Sequence, residues 1–237
     1  MKVNDVRELA ERLLNLLFPR KCAVCRELIE YDGMLCADCG AGLGIIGENC
    51  CEKCGKPPDS CVCEKYPQRC VACASAVEYY EAAKDIVHEF KFEGQSSLAR
   101  PMAKLMAQTV LLRFPDVRFD VIAAAPMRRR AIARRGYNQS ELLARELSRM
   151  LGTDYRKNAL VKLRDTAHQS SLGAKERLVN LSGAIGVSRR FEPKGLTVLL
   201  VDDIATTGAT LDECAGALLS RGAKKVYAIT FAASVLD

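Results

Sequence analysis

The chain has 237 residues and a formal net charge of +6, which leaves room for one good-sized core and a small accessory module. Hydrophobic residues make up 49% and charged residues 27%, a balance that excludes wholesale disorder. Tryptophan is absent and aromatic residues amount to 6%, so the composition argues against an aromatic platform for stacking bases, while the mild positive charge suits an anionic partner.

The first twenty residues, MKVNDVRELAERLLNLLFPR, predict a short amphipathic helix over 1–20 that packs on the body of the protein. Their apolar residues recur at helical spacing until Pro19 closes the pattern. Acidic residues interrupt the apolar stretch that a signal peptide needs, and no apolar run reaches the length of a membrane span. We therefore expect a cytoplasmic protein without membrane contact.

Eleven of the twelve cysteines lie between Cys22 and Cys73. The first four form two CxxC pairs, CAVC and CADC, separated by ten residues. A CxxC turn aims two thiolates at one point, and a second pair completes a tetrahedral Zn²⁺ site. The spacing predicts one zinc site with the ligands Cys22, Cys25, Cys36 and Cys39.

A less regular cluster follows, CCEKCGKPPDSCVC at 50–63. Cys51 and Cys54 form another CxxC turn, and the preferred interpretation takes Cys61 and Cys63 as the remaining ligands of a second zinc site. The reason is that Gly-Lys-Pro-x-x-x-Cys makes a compact ribbon, with the two prolines supplying the bend.

Cys70-x-x-Cys73 is the competing pair for this second site, although it lies where the chain enters the next element. Cys50 is spare in either interpretation. A disulfide framework is the alternative for the whole segment, but the expected reducing cytosol opposes it. Four thiolates per metal leave no open position for water, so both sites are predicted to be structural, within a double zinc ribbon over 21–73.

The remaining chain, 74–237, alternates between strand and helix patterns. It reads as a strand and a helix ending near Lys91, a second helix over 96–114, and a short strand over 121–125. A helix capped near Asn138 and ended by Gly152 follows, then a wholly apolar strand within 195–203, a helix ending at Gly222, and a last strand over 224–234. This order predicts an α/β domain with a mainly parallel sheet, in which ligands bind at the carboxyl ends of the strands.

The motif VLLVDDIATTGAT at 198–210 lies at such a strand end. Gly208 permits close approach of a ligand, the first N–H groups of the next helix form an anion site, and the threonine hydroxyls add donors. No Gly-Lys-Ser/Thr follows, so the loop is not a Walker P-loop. The two acids would repel a phosphate chain but suit ribose hydroxyls, and the motif therefore predicts a 5-phosphoribosyl pocket.

The same motif resembles the 13-residue signature for 5-phosphoribosyl-1-pyrophosphate (PRPP) of type I phosphoribosyltransferases. KFEG at 91–94, PMRRRAIARRGYNQ at 126–139 and KLRDTAHQSSLGAKERLVNLSGAI at 162–185 are similar to the ComF family, which joins a double zinc ribbon to a phosphoribosyltransferase domain. The resemblance covers nearly the whole chain. Tyr137 stands where that family usually has Phe, and Cys61-x-Cys63 stands where it has CxxC.

The resemblance implies a type I phosphoribosyltransferase fold and assigns roles to particular residues. Asp202 and Asp203 would hold the ribose hydroxyls, and Lys91 would sit at the pyrophosphate loop, these three being the implied catalytic residues. Mg²⁺ would accompany the pyrophosphate and neutralise charge as the anomeric carbon becomes oxocarbenium-like. The residues implied to hold the 5-phosphate are Ala205, Thr206, Thr207, Gly208, Ala209 and Thr210.

Five arginines lie within eight positions at 128–135, with no acid between 120 and 141. A solvated basic face is the default for such a run. Because the run follows a strand end, it is also a candidate clamp for pyrophosphate or a polyanion such as single-stranded DNA. The candidates are Lys91, Arg128, Arg134, Arg135 and, from the second loop, Arg164.

Three functional hypotheses remain open at this point, of which the weakest takes the acid pair as a relic and the protein as a regulatory scaffold. The first is a PRPP-dependent transferase that moves the phosphoribosyl group onto an acceptor and releases pyrophosphate, although no sequence feature identifies the acceptor. The second is a non-catalytic module that binds single-stranded DNA or a nucleotide, since the ComF resemblance implies a role in DNA uptake beside a helicase-like partner. The acid pair favours the first hypothesis, and the arginines and zinc ribbons favour the second.

Overall fold

The computed structural model describes residues 19–29, 33–164 and 183–234. Nearly all of the predicted N-terminal helix over 1–20 and most of the second loop, 165–182, lie outside the described residues.

Four parallel strands form the central sheet. They are β1 (Cys73–Glu78), β2 (Val121–Ala124), β5 (Thr197–Ala205) and β6 (Lys225–Ala233), in the spatial order β1-β6-β5-β2. β3 (Leu160–Lys162) and β4 (Ile185–Val187) pair separately as a small antiparallel sheet. The described helices are α1 (Ala37–Ala41), α2 (Glu81–Phe92), α3 (Ala99–Arg113), α4 (Arg129–Arg135), α5 (Gln139–Leu151) and α6 (Ala209–Ser220).

Strand β5 is buried on both of its faces. Leu199 and Val201 point into the core cluster shared with α2, α3 and α5, whereas Val198 and Leu200 point into a second cluster shared with α6, β3 and β4. Alternate side chains of a strand face opposite sides, so a strand covered by helices on both sides must be apolar throughout. The α/β architecture with a parallel sheet is therefore confirmed.

The helix predicted between Asn138 and Gly152 is also confirmed. Asn138 Oδ1 accepts a hydrogen bond from the Ser140 N–H at 3.1 Å, which satisfies a donor at the start of α5, and Gly152 ends the helix with φ of +64°. The serines at 96 and 97 form a short 3-10 turn (Ser96–Leu98) ahead of α3, and no side chain caps that helix.

Strand β5 continues further than its apolar run. It extends through Asp202 and Asp203 to Ala205, whereas its neighbour β2 stops at Ala124, paired with Val201. The two acids therefore lie inside β5, but beyond the edge formed by β2, so their side chains reach the crevice at the carboxyl ends of the strands. None of the helices in the described ranges is long and apolar enough to span a membrane.

Candidate functional site

A cavity of about 590 Å³ opens at the carboxyl ends of β2 and β5. One wall is the whole segment from Asp202 to Leu211, and the opposite wall comes from the segment after β2 and the start of α5. The predicted site residues on its lining are Lys91, Arg128, Arg134, Arg135, Asp202, Asp203, Ala205, Thr206, Thr207, Gly208, Ala209 and Thr210.

Asp202 is held by hydrogen bonds from two donors. Its Oδ1 accepts from Ser140 Oγ at 2.8 Å and from the Asp203 backbone N–H at 2.9 Å. Burial raises the pKa of Asp202 to about 7, and the adjacent charge of Asp203 adds to the shift, while the hydrogen bond from Ser140 opposes it. Asp202 therefore gains or loses its proton near neutral pH.

Asp203 is paired with a cation from a different part of the chain. Lys91, in the last turn of α2, places its Nζ 2.8 Å from Asp203 Oδ2. Both side chains are mostly buried, at 20% and 12% exposure, so solvent screens the pair less than it would a surface ion pair. Lys91 and the acid pair, which come from distant parts of the sequence, thus lie in one cavity.

The loop between β5 and α6 turns sharply at Gly208. Gly208 adopts φ of +79° and precedes the first residue of α6, a conformation that favours glycine. Thr207 is fully buried, and its Oγ1 accepts a hydrogen bond from the Ala209 N–H at 3.3 Å. Thr206 and Thr210 are half-buried and line the cavity.

The basic wall of the cavity belongs to the segment after β2. Arg135 is half-buried, and its Nη1 donates to Gln139 Oε1 at 2.7 Å while its guanidinium lies 5.2 Å from the ring centre of Phe92. Burial lowers its pKa, although arginine stays charged at any physiological pH. Arg134 is exposed at the rim. Arg164 is exposed and is not among the described residues that line the cavity.

Ser140 and Lys162 are among the polar residues of the cavity that were not predicted as site residues. Ser140 follows the helix cap and hydrogen-bonds Asp202, and Lys162, at the end of β3, lines the cavity with a pKa that burial lowers. A polar residue that ends a strand or begins a helix is a weak signal in a sequence. Because β3 and β4 were not predicted, no sequence feature placed Lys162 beside the acid pair.

The eight predicted metal-binding cysteines lie in two groups. Within each group the sulfur atoms lie within 4.8 Å of one another, close enough for one ion to contact all four, since Zn–S bonds are about 2.3 Å. None of the eight forms a disulfide bond in the structure, so all eight sulfur atoms are available to a metal ion. The first group is Cys22, Cys25, Cys36 and Cys39, and the second is Cys51, Cys54, Cys61 and Cys63.

The competing pair, Cys70 and Cys73, lies elsewhere. Both residues are buried in the hydrophobic cluster on the α6 side of the sheet, together with Cys214. Cys73 is the first residue of β1, and its pKa is raised well above the usual thiol value by the hydrogen bond with Cys70 and by burial. These thiols act as small apolar side chains, and the second ribbon gathers Cys61 and Cys63 instead.

Comparison with known proteins gives the same two parts. Residues 13–65 match the family model of the double zinc ribbon domain, and residues 131–234 match that of the phosphoribosyl transferase domain. The DNA utilization protein YhgH of Salmonella typhi is 33% identical over 208 residues, which are 86% of this chain and 86% of that protein. The competence protein ComFC of Streptococcus pneumoniae is 32% identical over 205 residues, covering 82% of this chain and 86% of that protein.

The chain belongs to the ComF family. Its match to ComF relatives runs through both the ribbons and the phosphoribosyltransferase domain. Among solved structures, adenine phosphoribosyltransferase from Saccharomyces cerevisiae superposes with a TM-score of 0.40 and 17% identity, covering 58% of this chain and 69% of that one.

The two departures from the usual ComF pattern are both accommodated. The hydroxyl of Tyr137, where Phe is usual, donates to the Phe90 carbonyl oxygen at 2.5 Å. In the ribbon, Cys51 Sγ lies 3.7 Å from Cys63 Sγ and Cys54 Sγ lies 3.8 Å from Cys61 Sγ. The CxC spacing therefore still brings four thiols together, as a structural zinc site requires.

Proposed function

We propose that this ComF protein binds the 5-phosphoribosyl group of PRPP in the cavity at the carboxyl end of β5. The observation that carries the proposal is that one cavity has an acidic part, a loop with threonines and a glycine at the start of α6, and a basic part. Asp202 and Asp203 would accept hydrogen bonds from the ribose hydroxyls, while the backbone N–H groups and hydroxyls of 205–210 would bind the 5-phosphate.

The pyrophosphate would lie toward the cations of the opposite wall. Lys91, Arg128, Arg134 and Arg135 line that part of the cavity, and arginine matches phosphate oxygens in a bidentate manner. The half-buried Arg135 is held by Gln139 and Phe92, so little side-chain freedom is lost when it binds. Lys91 is already oriented into the cavity by Asp203.

Mg²⁺ is part of this proposal because PRPP carries two linked phosphates. The ion prefers oxygen ligands from one or two carboxylates together with substrate phosphates, and the cavity offers the carboxylates of Asp202 and Asp203. When bound, Mg²⁺ supplies charge neutralisation on the pyrophosphate. The chain's own residues would orient the ribose and hold the departing pyrophosphate.

The reaction that this arrangement suits is transfer of the phosphoribosyl group with release of pyrophosphate. The test is incubation of the protein with PRPP, Mg²⁺ and a panel of bases and amines, with pyrophosphate measured over time. Release that disappears in the Asp202→Asn/Asp203→Asn variant and persists in Asp116→Asn, which changes an exposed acid, would support a transferase. Absence of release with every acceptor would leave PRPP as a bound ligand only.

A second candidate is a non-catalytic module that binds single-stranded DNA or a nucleotide beside a helicase-like partner in the cytoplasm. Two observations favour it: exposed arginines on α4 at positions 129, 130 and 134, and relatives named for DNA utilization and competence. Phosphate contacts by arginine make binding steeply salt-dependent. Salt-sensitive single-strand binding that is lost in Arg134→Ala/Arg135→Ala, without pyrophosphate release, would support this function instead of the transferase.

A further inference from the structure

The second zinc ribbon packs against the back of the phosphate loop. Its contact residue is Gln68, which is 8% exposed. Gln68 Nε2 donates to the Tyr66 carbonyl oxygen of the ribbon at 2.9 Å and to the Thr207 carbonyl oxygen of the loop at 3.1 Å. One side chain thus joins two segments that are 139 residues apart in sequence.

The fit between Gln68 and the loop is close. A Cβ atom at position 208 would lie 2.5 Å from Gln68 Oε1, so Gly208 is needed here for space as well as for its positive φ. The cavity left between the ribbon and the loop, lined by Cys54, Val62, Gln68 and Thr207 among others, has a volume of only about 10 Å³. The loop therefore has little room to move toward the ribbon.

Two positively charged residues, Lys56 and Arg69, lie on either side of Gln68 in the sequence and attach this region to the phosphoribosyltransferase domain. Lys56 is 1% exposed, and its Nζ donates to the Ser234 carbonyl oxygen at 2.6 Å. The Ser234 N–H in turn donates to the carbonyl oxygen of Ala205, the last residue of β5, at 2.8 Å. Lys56 therefore joins the ribbon to the strand that carries the acid pair.

Arg69 makes the corresponding contact with α6. Its backbone N–H and its guanidinium both donate to the carboxylate of Asp212, at 2.6 Å and at 2.9–3.0 Å, and Nη2 also lies 3.1 Å from Glu213 Oε2. The guanidinium crosses the helix over Gly216, where a Cβ would lie 1.9 Å from Nη1. Lys56, within the ribbon, thus contacts the end of β5 through Ser234, and Arg69, just after the ribbon, contacts α6.

The hydrogen bond from Gln68 fixes the orientation of the Thr207–Gly208 peptide, and this orientation determines the direction of the Gly208 N–H. In a trans peptide the C=O and the following N–H point in opposite directions. Because the Thr207 C=O points toward Gln68, the Gly208 N–H points away from the ribbon. Such N–H groups are the donors that a phosphate meets at a helix N-terminus.

We propose that Gln68 is a positioning residue for the phosphate loop, through which the second ribbon sets the affinity of the cavity for a ribose 5-phosphate group. The inference rests on the proposed function, because it assigns the loop to the 5-phosphate. Gln68 touches no ligand in this account. It holds the Thr207–Gly208 peptide in the orientation that binds one.

The test replaces Gln68 by methionine, which is similar in length but donates no hydrogen bond. Titration calorimetry should show roughly tenfold weaker binding of ribose 5-phosphate, the equivalent of one hydrogen bond. Pyrophosphate, which the basic wall would bind, should bind within about twofold of wild type. The amide resonance of Gly208 in an ¹⁵N–¹H spectrum should also shift, while the zinc content stays unchanged. Gln108→Met, the same replacement on the exposed face of α3, should leave the binding of both ligands, the Gly208 resonance and the zinc content unaltered.

Each outcome of this experiment decides a separate question. If wild-type protein fails to bind ribose 5-phosphate, the proposed function fails and this inference with it. If wild type binds and Gln68→Met binds equally well, the inference alone is overturned, as it is if pyrophosphate binding weakens to the same degree. Should Gln68→Met not fold, Gln68→Leu removes the donor with a smaller side chain and no added charge, and the same comparison applies.

Discussion

Lys91 Nζ lies 2.8 Å from Asp203 Oδ2, so the end of α2 is joined by an ion pair to the strand that carries the acid pair. This relationship connects a segment near the middle of the chain to the motif near its end. In the proposed complex the lysine would have two roles, since it orients Asp203 through the ion pair and adds positive charge to the wall that faces the pyrophosphate.

Replacement of Lys91 by methionine should therefore weaken the binding of PRPP more than the binding of ribose 5-phosphate. We expect the affinity for PRPP to fall roughly tenfold, because a charge-assisted contact to pyrophosphate is lost. The affinity for ribose 5-phosphate, which lacks the pyrophosphate, should change by less than about threefold. Calorimetric titration of both ligands measures the difference, with the exposed Lys65→Met variant as the control. Equal weakening of both ligands would place Lys91 at the ribose instead.

The free energy of unfolding of Asp202→Asn should increase relative to that of wild type as the pH rises. In the folded protein burial and the charge of Asp203 raise the pKa of Asp202 to about 7 from 3.8, while Ser140 and Lys91 oppose the shift. Between these values the folded state keeps a proton that the unfolded chain has lost, so this group lowers the free energy of unfolding as pH rises from about 4 to about 7. Asparagine has no such charge, and its advantage over wild type should increase by about 1 kcal/mol between pH 6 and pH 8.

Urea denaturation at pH 6 and pH 8 measures that change at pH values where thiols can still hold zinc. The exposed acid variant Asp116→Asn should show a difference from wild type that does not depend on pH. A stability difference for Asp202→Asn that is the same at both pH values would show that Asp202 is ionised throughout this range.

Replacement of Gly208 by alanine should lower the stability of the protein more than replacement of Gly94 by alanine. Both glycines have positive φ, +79° and +70°, but a Cβ at Gly94 meets nothing within 4 Å, whereas one at Gly208 meets Gln68. Gly94→Ala should cost about 1–2 kcal/mol, the penalty of the left-handed conformation. Gly208→Ala should cost about 1–2 kcal/mol more, since Gln68 must give up its hydrogen bonds. Thermal unfolding of the two variants provides the comparison, and equal costs would contradict the close packing of ribbon and loop.

Each cysteine group should hold its own zinc ion. We expect metal analysis to find about two zinc ions per chain, and about one in Cys36→Ser or Cys61→Ser, because each of these removes a thiolate from one group. Cys50→Ser is the matched control, since Cys50 belongs to neither group. Chelation should unfold the ribbons and lower the melting temperature. Full zinc content in Cys61→Ser with loss in Cys73→Ser would restore the competing assignment.

Much of the fold could be predicted because its signals are local. The apolar run from Val198 to Val201 indicates a strand that is buried on both faces. Asn138 and Gly152 mark the two ends of α5, and the CxxC turns mark the ribbons. The paired acids could likewise be placed at a strand end. In these cases the residues that determine the structure are also neighbours in the sequence.

The contacts that complete the site are not local. Ser140 reaches Asp202 across 62 positions and Gln68 reaches Thr207 across 139, and neither partner carries a signal of the other. β3 and β4 have three residues each, too few for a hydrophobic period, so the position of Lys162 could not be predicted. The proposed role of the ribbon in positioning the phosphate loop rests on such distant contacts alone.

Binding of PRPP is tested most directly by calorimetric titration of the wild-type protein with PRPP in the presence of Mg²⁺, repeated with Asp202→Asn/Asp203→Asn. We expect saturable binding at one site per chain by wild type, and at least roughly tenfold weaker binding by the double variant, because two acceptors for the ribose hydroxyls are lost. Absence of PRPP binding by wild-type protein, or equal binding by the double variant, would contradict the proposed function.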